Sequence, residues 1–137
     1  IARPVRHLFC ERYEESAPVI QESIELVKKL RANGYKLAIL SNIIKPHIQL
    51  ARKRGIVDLF DINVFSCDSE VNSKKPEQKI YKICMERLKA KPEECIFIDD
   101  RKINVEGAEK LGIKGILYKN TEQVRDELEK LDINLGE

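Results

Sequence analysis

An apolar run that stops at two adjacent carboxylates constrains this chain more than any other feature. Residues 95–98, Cys-Ile-Phe-Ile, are wholly apolar, and Asp99 and Asp100 follow directly. An unbroken apolar run of this length reads as a strand buried on both faces, and such strands belong to parallel sheets. After the acids, Val105, Ala108 and Leu111 recur at helical spacing, Gly112 ends the helix, and residues 113–118 read as the next buried strand. Ligand sites in open α/β sheets form at the carboxyl ends of strands, which is where the acids sit. One Asp would serve as a helix cap. Two side by side repel unless something positive lies beside them, and a hard cation such as Mg²⁺ is the usual answer.

The rest of the chain repeats this alternation. Val5, Leu8 and Phe9 share one helical face, which predicts a short helix over residues 4–15. From Pro18, the positions Ile20, Ile24, Val27 and Leu30 form an apolar stripe opposite Glu22, Glu25, Lys28 and Lys29, with Gly34 just past the end, the pattern of an amphipathic helix. Residues 35–40 predict a buried strand closed by Ser41 and Asn42, and Pro46 and Gly55 bracket the next helix. A third strand over residues 60–65 leads into a polar loop ending in Lys74, Lys75 and Pro76. Pro76 opens a helix with Ile80, Ile83, Cys84 and Leu88 inward, and a last helix from about residue 120 carries Val124, Leu128 and Leu131 inward. Strands alternating with helices imply right-handed crossovers. The predicted fold is therefore α/β, a three-layer Rossmann-like parallel sheet with helices on both faces. All strand ends then open on one edge, where Ser41, Asn42, Lys75, Asp99 and Asp100 converge.

Composition narrows the partners. The chain has 137 residues, enough for one domain with a real core, and no repeat or linker divides it. Its 25 Lys and Arg nearly balance 23 Asp and Glu, for a formal charge of +2. Nucleic-acid binding needs a clustered basic face, so no such partner is expected. The longest apolar runs are a handful of residues, so no membrane span is expected either. Cys10, Cys67, Cys84 and Cys95 have neither metal-ligand spacing nor the pattern of a disulfide framework. Reduced thiols in a cytoplasmic protein are the expectation.

A hydroxyl and an amide that hydrogen-bond phosphate oxygens, a lysine that neutralises charge, and carboxylates for Mg²⁺ are what phosphoryl transfer asks of a protein. Each alone has a plainer reading: Ser41 as a helix cap, Asn42 as a turn residue, Lys75 as a solvated side chain. The set as a whole is coherent.

These residues also carry a resemblance. Leu40-Ser41-Asn42, Lys75-Pro76-Glu77 with Ile80-Tyr81, and Phe97-Ile98-Asp99-Asp100 leading to Glu106-Gly107-Ala108 and Leu111-Gly112-Ile113 resemble the second, third and fourth motifs of the haloacid dehalogenase superfamily. They occur in the family's order and cover residues 18–131. The chain is most similar to the branch of sugar-phosphate phosphatases and the phosphatase domain of soluble epoxide hydrolases. The resemblance implies that Ser41 binds the phosphoryl group with Asn42 beside it. It implies that Lys75 stabilises the nucleophile and the transition-state charge, and that Asp100 ligates Mg²⁺ with Asp99 in support. It further implies a small phosphorylated metabolite as substrate.

Three departures stand beside it. Asn104 occupies the place of a second acid in many relatives, and Asn72 that of a common glycine, a mild change because Asn tolerates a left-handed backbone. The family's first motif, a strand ending in Asp-x-Asp that supplies the nucleophile and the acid-base group, is absent, since no Asp precedes Asp58. Residues 5–10 as a substitute strand, with Cys10 as nucleophile, are disfavoured by their helical spacing and by Arg12 at the place of the second Asp. The expectation is that residues 1–16 are the remnant of a lid helix, that 17–137 form the core, and that a chain starting at Ile1 is the carboxyl-terminal part of a longer protein. Without its central strand the sheet would have two unpaired edges. A missing segment, a second copy of the chain in a homodimer, or collapse of the flanking strands would then fill the gap. Two functions follow: a Mg²⁺-dependent phosphomonoesterase in the intact parent, with this chain alone inactive, or a non-catalytic module acting through a partner.

Overall fold

The computed structural model describes residues 6–9, 21–53, 55, 57–133 and 135. Five strands form one sheet: β1 (Arg6–Phe9), β2 (Leu37–Ser41), β3 (Ile62–Phe65), β4 (Cys95–Asp99) and β5 (Lys114–Leu117). Their spatial order is β3-β2-β1-β4-β5, and every pairing is parallel. The helices between and after them are α1 (Gln21–Ala32), α2 (Lys45–Lys53), α3 (Gln78–Leu88), α4 (Lys102–Glu109) and α5 (Thr121–Lys130).

The strand period of two sorts the apolar side chains into two layers. Leu37 and Ile39 of β2 and Ile96 and Ile98 of β4 face one cluster, completed by Leu26, Val27 and Leu30 of α1 and by Val124 and Leu128 of α5. Ala38 and Leu40 of β2 and Cys95 and Phe97 of β4 face the other, with Ile80, Tyr81, Cys84 and Leu88 of α3 and Ala108 of α4. All five residues of β2 and of β4 are buried. Their unbroken apolar runs thus reflect burial on both faces, as the three-layer reading requires. Gly112, at φ +88, makes the left-handed turn between α4 and β5. Asn120 caps α5 by accepting from the Gln123 amide at 2.7 Å.

The helix expected over residues 4–15 gives way to a strand at Arg6–Phe9. β1 lies between β2 and β4, with Phe9 in register with Ile39 on one side and Ile98 on the other. The reason is tertiary. Three apolar residues within five positions are too few to fix a period, and the edges of two buried strands offer backbone groups whose burial unpaired costs on the order of 1–3 kcal/mol each. The gap expected at the centre of the sheet is therefore filled by the chain's own residues, without the family's Asp-x-Asp. Pairing with a second copy or with a missing segment is not needed to close it. Cys10 and the remainder of the first sixteen residues lie outside the described residues.

No helix among the described residues is long and apolar enough to cross a membrane. Cys67, Cys84 and Cys95 are free thiols, and Cys10 lies outside the described residues.

Candidate active site

The chain runs outward from β1 through β2 to β3, then returns to β4 on the other side, so the carboxyl ends of β2 and β4 flank the point where the strand order reverses. A pocket of about 180 Å³ opens there. It is lined by Ser41, Asn42, Lys75, Asp99 and Asp100, the five residues singled out from the sequence, although they span sixty positions. Arg101 and Asn104 complete the wall.

At its floor Lys75 and Asp99 form a buried ion pair, Nζ to Oδ2 at 2.9 Å, with side-chain exposures of 4% and 2%. The Asn104 carboxamide donates to the same Oδ2 at 3.0 Å, and the Arg101 amide donates to Oδ1 at 3.0 Å. Burial alone would push the Asp99 carboxyl up. The Lys75 ammonium, a side-chain hydrogen bond with Asp100 and the Arg101 amide outweigh it and hold the group below its ordinary value. The lysine also lies over the Phe97 ring, 5.8 Å from its centre. Asp100, one residue on, is exposed.

Two devices present Lys75. Asn42 grips its backbone from both sides, accepting from the Lys75 amide at 2.8 Å and donating to its carbonyl at 3.1 Å. Asn42 was expected beside Ser41 on the phosphoryl group; it lines the same pocket, and its carboxamide oxygen and one N–H bond the lysine backbone. In the preceding loop, Glu77 accepts from the Ser73 hydroxyl at 3.0 Å and the Lys74 amide at 2.9 Å. Those bonds, the Lys74 amide first, hold the Glu77 carboxyl below its ordinary range. Asn72 adopts φ +39, the left-handed backbone its side chain tolerates.

Ser41, at the end of β2, is 1% exposed. Its carbonyl accepts from the Ser66 amide at 3.0 Å, but among the described residues no group hydrogen-bonds its hydroxyl. A buried hydroxyl left in this state calls for an explanation.

The donor set bears on a metal as well. Among the described residues no three His, Cys, Asp or Glu side chains gather into a cage. Mg²⁺ is usually held by one or two carboxylates, with water and phosphate oxygens completing its shell. The exposed Asp100 fits that pattern, and Asp99, saturated by Lys75, Asn104 and Arg101, fits it less well.

Sequence comparison decides the family. Residues 2–112 match the haloacid dehalogenase-like hydrolases. The chain belongs to this family. Bifunctional epoxide hydrolase 2 of Rattus norvegicus is 42% identical over 122 residues, covering 83% of this chain and 20% of that protein. A phosphorylated carbohydrates phosphatase of Thermotoga maritima is 31% identical over 112 residues, covering 81% of this chain and 49% of its own length. Among solved structures, a wild-type haloacid dehalogenase (HAD) family enzyme of Bacteroides thetaiotaomicron, in complex with magnesium and inorganic phosphate, superposes with a TM-score of 0.65. It is 30% identical and covers 74% of this chain and 53% of that one. The HAD-like chain thus spans less than half the length of these two curated relatives.

Arg101 is the pocket residue the sequence did not single out. It follows the two acids directly, and that adjacency was the available signal. Asn104 was noted only as a departure from an acid, whereas in the structure it is a donor to Asp99.

Proposed function

We propose that this HAD-like hydrolase domain carries the phosphoryl-binding half of a Mg²⁺-dependent phosphomonoesterase acting on a small phosphorylated metabolite. The observation that carries this reading is the buried Ser41 hydroxyl, without a hydrogen-bond partner among the described residues, on the same pocket as the buried Lys75–Asp99 pair. In this reading the Ser41 hydroxyl donates to a phosphoryl oxygen. Lys75 stabilises the charge that develops on the transferring group, and Asp99 keeps the ammonium charged and in place. Asp99 ionises below the ordinary carboxylate range, so the pair remains charged at neutral pH. Asp100 would hold Mg²⁺, which when bound would neutralise phosphate charge.

No Asp precedes Asp58 in these residues, and in this reading the aspartyl-phosphate forms on an Asp-x-Asp of a longer parent protein. The same absence favours a second reading, a non-catalytic module that kept the anion pocket. One experiment separates them: p-nitrophenyl phosphate hydrolysis with Mg²⁺ by the 137-residue chain and by a form extended upstream through an Asp-x-Asp strand. The short form is expected to be inactive and the extended form to turn over, with Ser41→Ala lowering its kcat by roughly 10²-fold. An inactive extended form that still binds phosphate supports the module. Turnover by the short form that survives Cys10→Ala contradicts both readings.

A further inference from the structure

Tyr81 sits on α3, fully buried, with its ring edge-on to Phe97 at 5.3 Å between centres. Phenylalanine would fill the same space. The hydroxyl donates a 2.7 Å hydrogen bond to the main-chain carbonyl of Asn104 in the first turn of α4. Asn104 is the residue whose carboxamide reaches the pocket and donates to Asp99 Oδ2, the oxygen that Lys75 also holds. One carboxylate oxygen therefore joins donors from two elements, α4 and the loop that leads into α3. The spacing between those elements decides whether both donors reach it.

A second contact sets the same spacing. Gly107 lies one turn further along α4, and a Cβ built there would fall 2.9 Å from the Pro76 Cβ, 3.0 Å from the Tyr81 hydroxyl and 3.1 Å from the Pro76 carbonyl. Backbone thus packs directly against the residue that follows Lys75. Pro76, Tyr81 and Gly107 make one patch, and it registers α4 against the lysine loop.

We infer that Tyr81 is a positioning residue for the pocket: its hydroxyl fixes the first turn of α4 and, through it, the Asn104 carboxamide that shares Asp99 Oδ2 with Lys75. The consequence for ligand binding rests on the phosphoryl reading of the pocket; the tie itself does not.

The test follows the Asn104 side-chain amide by ¹⁵N NMR in the 137-residue chain, with its resonance assigned by its loss in Asn104→Ala. In Tyr81→Phe the protection of that amide from hydrogen exchange is expected to fall by about tenfold, the scale of one lost hydrogen bond. Ile80→Val, a neighbouring apolar trim on the same helix, is expected to leave it unchanged. Gly107→Ala pushes α4 away from Pro76 and is expected to reproduce the loss, which keeps the tie testable should Tyr81→Phe not fold. Affinity for inorganic phosphate with Mg²⁺, measured in parallel, is expected to drop several-fold in Tyr81→Phe and no further in the Tyr81→Phe, Asn104→Ala double variant. An Asn104 amide that moves no more in Tyr81→Phe than in Ile80→Val overturns the tie. A wild-type chain that binds no phosphate overturns the reading of the pocket while a responsive amide still supports the tie.

Discussion

Two ion pairs border the loop of residues 66–77, and they differ in almost every respect. Lys75 and Asp99 meet at 2.9 Å with almost no exposure, whereas Arg87 and Glu70 stand 3.5 Å apart with side-chain exposures of 32% and 83%. The outer pair keeps its water, so forming it gains little. The inner pair has lost its water, and its attraction offsets that cost only because Asn104, Arg101 and the backbone clamp of Asn42 complete the geometry. A fold in need of stability alone would do as well with two apolar residues at these positions. In the proposed reading the difference is that the inner pair serves the pocket it lines, whereas the outer pair is incidental.

Breaking the inner pair on one side should show the largest effect. Asp99→Ala leaves a buried ammonium without its carboxylate and is expected to cost about 3–5 kcal/mol in urea unfolding. Replacing both partners, Lys75→Met with Asp99→Leu, is expected to recover most of that stability while abolishing phosphate binding; a double variant as unstable as the single one would remove the contrast. Asn42→Ala comes next, at about 1–3 kcal/mol, since two groups of the Lys75 backbone lose their partner. Acid sharpens the comparison without mutation. The Asp99 carboxyl is held below its ordinary value of 3.8, so its contribution is complete above that pH and is lost as pH falls through the lowered folded-state value. The difference in stability between wild type and Asp99→Ala should therefore be flat from neutral pH down to about 4 and shrink only below it. Glu70→Gln closes the series, with less than about 0.5 kcal/mol expected at any pH above 5.

How far the sequence foretold this arrangement depends on the range of the interaction. Residues 35–40 and 95–98 were legible as strands followed by polar groups because burial on both faces demands an apolar run, and a polar residue can follow only where the strand leaves the sheet. Their convergence with Lys75 followed from parallel topology. β1 was not legible: the two polar and two apolar residues of 6–9 are too short a stretch to separate strand from helix, and the pairing with β2 and β4 that decides the matter lies outside the segment. The side-chain contacts were equally hidden. Asn42 bonds a backbone 33 positions away, and Asn104 reads as a lost acid until its amide is seen against Asp99. Asn72 lay between these cases, since its tolerance for a left-handed backbone is local and was readable from the residue alone.

In the proposed function the pocket is a phosphoryl site centred on Ser41. Titrating inorganic phosphate with Mg²⁺ into the ¹⁵N-labelled chain and following its backbone amides tests this directly. Saturable shifts are expected at Ser41, Lys75 and Asp99 to Arg101, weakened by about tenfold or more in Ser41→Ala, the scale of one hydrogen bond to a charged group. Shifts confined to surface lysines remote from the pocket, or a Ser41→Ala variant that binds phosphate as tightly as wild type, would contradict it.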